Sequence, residues 1–305
     1  MEPTPKIRLR PRPVLALALV VVALVGVLVR STGSFPSAVT PSTTRGHVVT
    51  TTTLALAAPV GDVAAYRAPG GGCAFDASAS RSAATGGCRV LEFGDSLGID
   101  FGEGLSREVS LQRGVNLSIH GLVSTGLVNT AFYNWPARLR YLLAKFKPQL
   151  VVALIGANDQ HSIRVGSSSA RFGSSRWQRA YLSRVRQIAA DVINEHGYLL
   201  WIGLPPMRDW RYERGAKLMN SLVARVATTT AGMKFLSTAR LLSTPHGRYV
   251  QWARVNGTRA QIRSDDGIHF RPIGDDVLAT YVVREIATIY HVALVPRSAR
   301  VVTAW

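Results

Sequence analysis

After Cys88 the chain alternates short apolar runs with longer amphipathic stretches, and this alternation leaves few ways to fold. Residues 90–93, 115–119, 150–155 and 199–204 are rich in apolar, β-branched or aromatic residues and are bounded by Gly, Asp or Pro, the pattern of buried strands. Between them, 135–146, 177–196 and 212–230 carry apolar residues at helical spacing among arginines and other polar groups. A fifth strand is expected at 234–236 and a last helix at 273–290. Residues 244–263 fit neither period and read as an excursion before the last loop. Strands alternating with helices imply an α/β fold, a parallel sheet covered on both faces. In such a sheet, ligands bind outside the carboxyl ends of the strands.

The N-terminal third has a different texture. Lys6, Arg8, Arg10 and Arg12 precede an unbroken apolar run from Val14 to Val29, which Arg30 closes. A secretory signal's apolar core is about 7 to 15 residues long and a spanning helix wants about 20, so the run falls between them. No small-x-small cleavage site directly follows it, which favours an uncleaved membrane anchor over a removed signal. The basic flank sets the N-terminus in the cytoplasm and the remainder outside, in the cell envelope. Residues 1–30 thus read as basic tail and anchor. Residues 31–87, rich in Thr, Ser, Ala, Pro and Gly, read as a stalk, 88–292 as the folded domain and 293–305 as a tail. Cys73 and Cys88 are the only cysteines. On the exported side they are expected to bridge, and closing a loop of about 15 residues is worth roughly 3 kcal/mol by chain entropy. Without a local histidine partner they do not make a zinc site.

Four groups of residues stand at strand ends or in the loop ahead of the last helix. Ser96, in Gly94-Asp95-Ser96-Leu97, follows the first strand, where a turn into a helix presents a hydroxyl and its own N–H to one space. Asp and Ser are also ordinary turn and cap residues. Gly126, in Ser124-Thr125-Gly126, lets a backbone N–H approach a ligand closely and can serve as an oxyanion donor. Asn158, in Gly156-Ala157-Asn158-Asp159, can donate its amide to a developing oxyanion. His269, in Asp266-Gly267-Ile268-His269, can take a serine proton while a carboxylate on its other nitrogen fixes the tautomer. Asp266 has the spacing for that carboxylate and Asp265 is its rival. Of the other histidines, His161 is near enough to Asn158 to be a candidate pocket residue. Trp135, Trp177, Trp201 and Trp210 read as core or pocket wall rather than as a sugar platform.

Taken together, these four blocks resemble those of the SGNH or GDSL hydrolases, a flavodoxin-like superfamily of esterases and acyltransferases. The likeness spans about residues 89–290. Asn134-Trp135-Pro136, the run from Trp201 to Arg208, Gln160 after Asp159, and Phe270 after His269 are similar to the uncharacterised periplasmic branch of that superfamily. The resemblance implies a three-layer sandwich around a parallel sheet of about five strands, with Ser96 as nucleophile, His269 as base and Asp266 as its orienter. The N–H groups of Ser96 and Gly126 and the Asn158 amide would form the oxyanion hole, with no metal or organic cofactor.

A formal net charge of +18, from 36 Lys and Arg against 18 Asp and Glu, favours anionic envelope polymers or lipid headgroups as partners. No zinc-finger spacing, RNP-like strand or basic heptad helix appears, so nucleic acid is not expected. The expected function is an extracytoplasmic esterase removing O-acyl groups, acetyl above all, from an envelope glycan. An acyltransferase to a carbohydrate hydroxyl and a non-catalytic envelope-binding module are the alternatives.

Overall fold

The apolar runs form the strands of a sheet in a computed structural model that describes residues 88–110, 115–290 and 302–303. In chain order the elements up to the fourth helix are β1 (Cys88–Gly94), α1 (Ser96–Val109), β2 (Val115–Gly121), α2 (Trp135–Phe146), β3 (Leu150–Leu154), β4 (Ile163–Val165), β5 (Ser168–Ala170), α3 (Ser175–Asn194), β6 (Tyr198–Ile202) and α4 (Trp210–Ala227). They continue with β7 (Met233–Leu236), β8 (Trp252–Val255), β9 (Thr258–Gln261), α5 (Pro272–Tyr290) and β10 (Val302–Thr303). The main sheet has five parallel strands in the order β2-β1-β3-β6-β7. Residues 1–87, with the expected anchor, stalk and Cys73, lie outside the described residues. Cys88 is disulfide-bonded. Among the described residues no helix is long and apolar enough to cross a membrane.

The strand order reverses direction at β1, which opens a crevice beyond the carboxyl ends of β1 and β3. Register levels those ends, since Gly94 stands opposite both Gly121 and Leu154. Gly94 is needed there because a Cβ would run into the Leu154 carbonyl. Helices α1 and α5 pack together, as do α2 with α3 and α3 with α4. The central strand β3 is buried at all five positions, Leu-Val-Val-Ala-Leu, as a strand covered on both faces must be.

Caps explain where the helices begin. Asp95, Asn134, Ser174 and Asp209 each accept a backbone N–H from the first turn of α1, α2, α3 and α4. The Asp209 cap starts α4 at Trp210, two residues before apolar periodicity alone would place it. The 244–263 excursion contains an antiparallel hairpin, β8 with β9, and β10 adds to it from the tail assigned to 293–305. A second small hairpin joins β4 to β5.

One buried acid lies under α1. Gly98 and Gly102 leave room for Glu92, because a Cβ at either would sit 3.1 or 3.2 Å from its carboxyl oxygens. Burial pushes this carboxyl well above the usual range, and the His120 N–H opposes the shift without making a hydrogen bond of normal geometry.

Candidate active site

Ser96 opens α1 directly after β1, and His269 lies in the loop that leads into α5. His269 Nε2 is 2.8 Å from Ser96 Oγ, and His269 Nδ1 is 2.6 Å from Asp266 Oδ2. The other Asp266 oxygen accepts the N–H groups of Ile268 at 2.8 Å and His269 at 3.0 Å, so the carboxylate is fixed by its own loop. Partial burial raises the Asp266 pKa, but the His269 ring and these N–H groups outweigh it and hold the group below its usual range. With the imidazole proton on Nδ1 and donated to Asp266, Nε2 is left to accept from Ser96. Asp265, the rival, faces elsewhere. It accepts from Gln251 and Gln261 at 2.8 Å each and pairs with Arg271 at 3.3 Å.

The donors opposite His269 are set by two buried acids. Asp95 caps Leu97 at 3.0 Å and with its second oxygen accepts the N–H groups of Gly156 and Ala157, both at 2.9 Å. One carboxylate therefore ties the turn that carries Ser96 to the loop that carries Asn158. Asp159 does the same for the next loop, accepting from Leu127 at 3.0 Å and Val128 at 2.8 Å. Any side chain at Gly126 would collide with the Asp159 carboxylate, so glycine is required for this clamp as well as for close approach to a ligand. Burial pushes Asp95 up to about 6 and Asp159 up to about 7, against the N–H groups that favour their ionised forms. The Tyr181 hydroxyl is buried close to Asp159 but falls short of hydrogen-bond geometry.

Asn158 donates one amide hydrogen to the Thr125 carbonyl at 2.9 Å, which leaves its second for a ligand. Thr125 is held in turn by the Trp135 indole, Nε1 to Oγ1 at 2.9 Å, and by its own bond to the Leu122 carbonyl at 2.6 Å. From α3, the Arg184 guanidinium donates to the carbonyls of Leu127 and Val128. The N–H groups of Ser96 and Gly126 make no hydrogen bond within the described residues. The arrangement thus offers a hydroxyl, a base with its carboxylate and three unspent donors at one sheet edge. That is the constellation for attack on a carbonyl carbon.

The base loop has two supports that its sequence did not announce. Asp100, one turn along α1 from Ser96, accepts the Phe270 N–H at 3.1 Å. Arg263 is fully buried and donates to the carbonyls of Pro206 and Ile268 at 2.8 and 2.7 Å. Its guanidinium also lies over the Phe270 and Tyr249 rings, at 4.9 and 5.2 Å. Burial lowers its pKa to about 10, so it is a cation at neutral pH. His161 is exposed and contributes its backbone carbonyl to the Trp177 indole at 2.8 Å. Trp135, Trp177 and Trp201 are core, but Trp210 is 63% exposed. No cluster of three or more His, Cys, Asp or Glu able to hold a metal ion occurs among the described residues.

A family model described as "Protein of unknown function (DUF459)" matches residues 89–285. The chain belongs to that family. Its fold is that of the SGNH hydrolases, with the parallel sheet and the four blocks at its edge. Solved structures of similar shape include an acetyl xylan esterase from Geobacillus stearothermophilus, 16% identical, covering 70% of this chain and 98% of that one with a TM-score of 0.47. Others are a carbohydrate esterase family 3 protein from Talaromyces cellulolyticus (14% identity, 67% and 98% coverage, TM-score 0.44) and a GDSL-like lipase from Bacteroides thetaiotaomicron (17%, 66% and 88%, 0.44). No curated protein matches the chain.

Proposed function

We propose that this protein is a serine ester hydrolase that works through an acyl-enzyme on Ser96, and that it removes O-acyl groups, acetyl above all, from a glycan of the cell envelope. The observation that carries the reading is the continuous chain Asp266–His269–Ser96, with links of 2.6 and 2.8 Å. His269 takes the Ser96 proton as Oγ bonds to the ester carbonyl carbon. The charge on the carbonyl oxygen is met by the N–H groups of Ser96 and Gly126 and by the free Asn158 hydrogen. The tetrahedral adduct collapses as the imidazolium returns that proton to the leaving alkoxide. Water, deprotonated by the same nitrogen, then attacks the acyl-Ser96 ester and restores the enzyme.

The envelope assignment rests on the N-terminal basic flank and apolar run, which would tether the domain outside the cytoplasm. A disulfide-bonded Cys88 is in keeping with an oxidising compartment. The test is labelling of the full chain with a fluorophosphonate, together with turnover of 4-nitrophenyl acetate. Wild type should label on Ser96 and turn over. Ser96→Ala should do neither while remaining folded. Full turnover by Ser96→Ala would refute the mechanism.

A further inference from the structure

When the acyl-enzyme forms, the imidazolium of His269 protonates the departing alkoxide, so the alcohol part of the ester lies on the His269 side of the crevice. What borders the His269 loop there is the turn from β6 into α4. The Arg208 N–H donates to the Gly267 carbonyl at 3.2 Å, and the Arg208 guanidinium donates to the Asp265 carbonyl. At its other end the Tyr212 carbonyl accepts from Gln160 at 3.3 Å, and Gln160 packs where any side chain on Gly215 would have to go. Residues 208–212 therefore run from the base loop to the loop that carries Asn158, and all of them are exposed.

This stretch is built for a ligand rather than for the core. Trp210 is 63% exposed, more than any other large hydrophobic side chain among the described residues. The guanidiniums of Arg211 and Arg214 lie over its ring, 5.6 and 5.7 Å from the centroid, as cation–π partners. Among the described residues, Arg208, Arg211 and Arg214 have no carboxylate within ion-pairing distance, whereas the nearby Lys217 is paired to Glu213 at 2.9 Å. The two nearest carboxylates of the base loop are also engaged, Asp265 with Arg271 and Asp266 with His269. An indole that is 63% exposed, with guanidiniums that no carboxylate engages at its ring, suits a pyranose that carries acid groups. The sugar C–H face packs on the ring, and the planar guanidiniums read carboxylates in two-pronged fashion.

Resting on the esterase reading, we infer that Trp210, Arg211 and Arg214, with Arg208 beside the base, form a subsite for the alcohol portion of the substrate, and that this portion is a uronate-bearing glycan. The overall charge of +18 would draw such a polyanion toward the site.

The experiment is calorimetric binding to the full chain carrying Ser96→Ala, using hexamannuronate and, as a neutral match of the same sugar, mannohexaose. Hexamannuronate should bind at low salt at least about tenfold more tightly than mannohexaose, and more weakly as salt rises. Trp210→Ala should weaken it by about tenfold, the scale of one aromatic contact. Arg211→Gln with Arg214→Gln should weaken it and flatten its salt dependence. Since all three side chains are exposed, an unchanged melting temperature is expected in each variant and guards against misfolding.

Equal affinity for the neutral hexasaccharide would overturn the inference. So would unaltered binding in both the Trp210 and the double arginine variants, or Trp210-dependent binding to phosphatidylglycerol vesicles without binding of hexamannuronate. Turnover of 4-nitrophenyl acetate by the wild type is scored separately. Turnover without hexamannuronate binding removes the subsite alone. Hexamannuronate binding without turnover or labelling removes the esterase reading alone.

Discussion

At the scale of single residues, the two hydrogens of the Asn158 amide have separate work. One is spent on Thr125, which orients the group, and one faces the crevice unspent. Asn158→Ala should therefore lower kcat by about 10² to 10³ with little change in KM, as loss of one oxyanion donor does. The measurement is steady-state turnover of an aryl acetate, and a loss confined to KM would contradict the role. Asp266→Asn tests the other arm. Asp265 lies next to it in sequence and looks like a substitute, but its oxygens are taken by Gln251, Gln261 and Arg271. The variant should thus fall by about 10² to 10⁴ in kcat, in the range seen when a base loses its orienting carboxylate. Activity within about threefold of wild type would mean that the orienter is not needed. The residues of the proposed site were legible because each ends a strand or precedes the last helix. The acids that align them were not. Asp95 and Asp159 read as turn formers, since a buried carboxylate with several N–H partners has the same letters around it as an exposed one.

Elements show the same division. The five sheet strands were readable as short apolar runs and α2 to α5 from apolar residues at helical spacing, whereas α1 was implied only by the turn at Ser96. The hairpins were not, because Ser168, Ser169, Thr258 and Arg259 carry no apolar period, and the stacking of Arg259 on Trp252 across β8 and β9 has no sequence signal. Arg263 follows β9 and has no sequence signal at all, yet it joins the β6 loop to the base loop. Arg263→Met would leave the Pro206 and Ile268 carbonyls without their donor, a loss of about 2 to 4 kcal/mol of stability. Urea unfolding reads that loss, and kcat should fall further than the folded fraction does because the base loop loosens. Within β1, Glu92 sets a pH dependence. Burial raises its carboxyl pKa in the folded state well above that of the unfolded chain, so its contribution is intact below the unfolded pKa near 4.5 and declines as pH rises above it. Glu92→Gln removes the proton linkage while keeping the shape. Relative to wild type it should melt higher at pH 8 than at pH 5, and a parallel pH profile for the two proteins would show that Glu92 is ionised in the fold.

For the whole molecule, the long apolar run at the N-terminus makes a prediction separate from the chemistry. The full chain should sediment with membranes, and a chain lacking residues 1–30 should stay in solution with ester turnover unchanged. A mature N-terminus between Arg30 and Gly87 would defeat the anchor. Within the domain, the hydroxyl and its base come from opposite ends, Ser96 from the first helix and His269 from just ahead of the last, and α1 packs against α5 to bring them together. The proposed base therefore follows all five strands of the sheet in the chain, whereas the proposed nucleophile precedes four of them. On the proposed chemistry, a growing chain has no reason to attack esters until α5 has docked on α1 and set His269 beside Ser96.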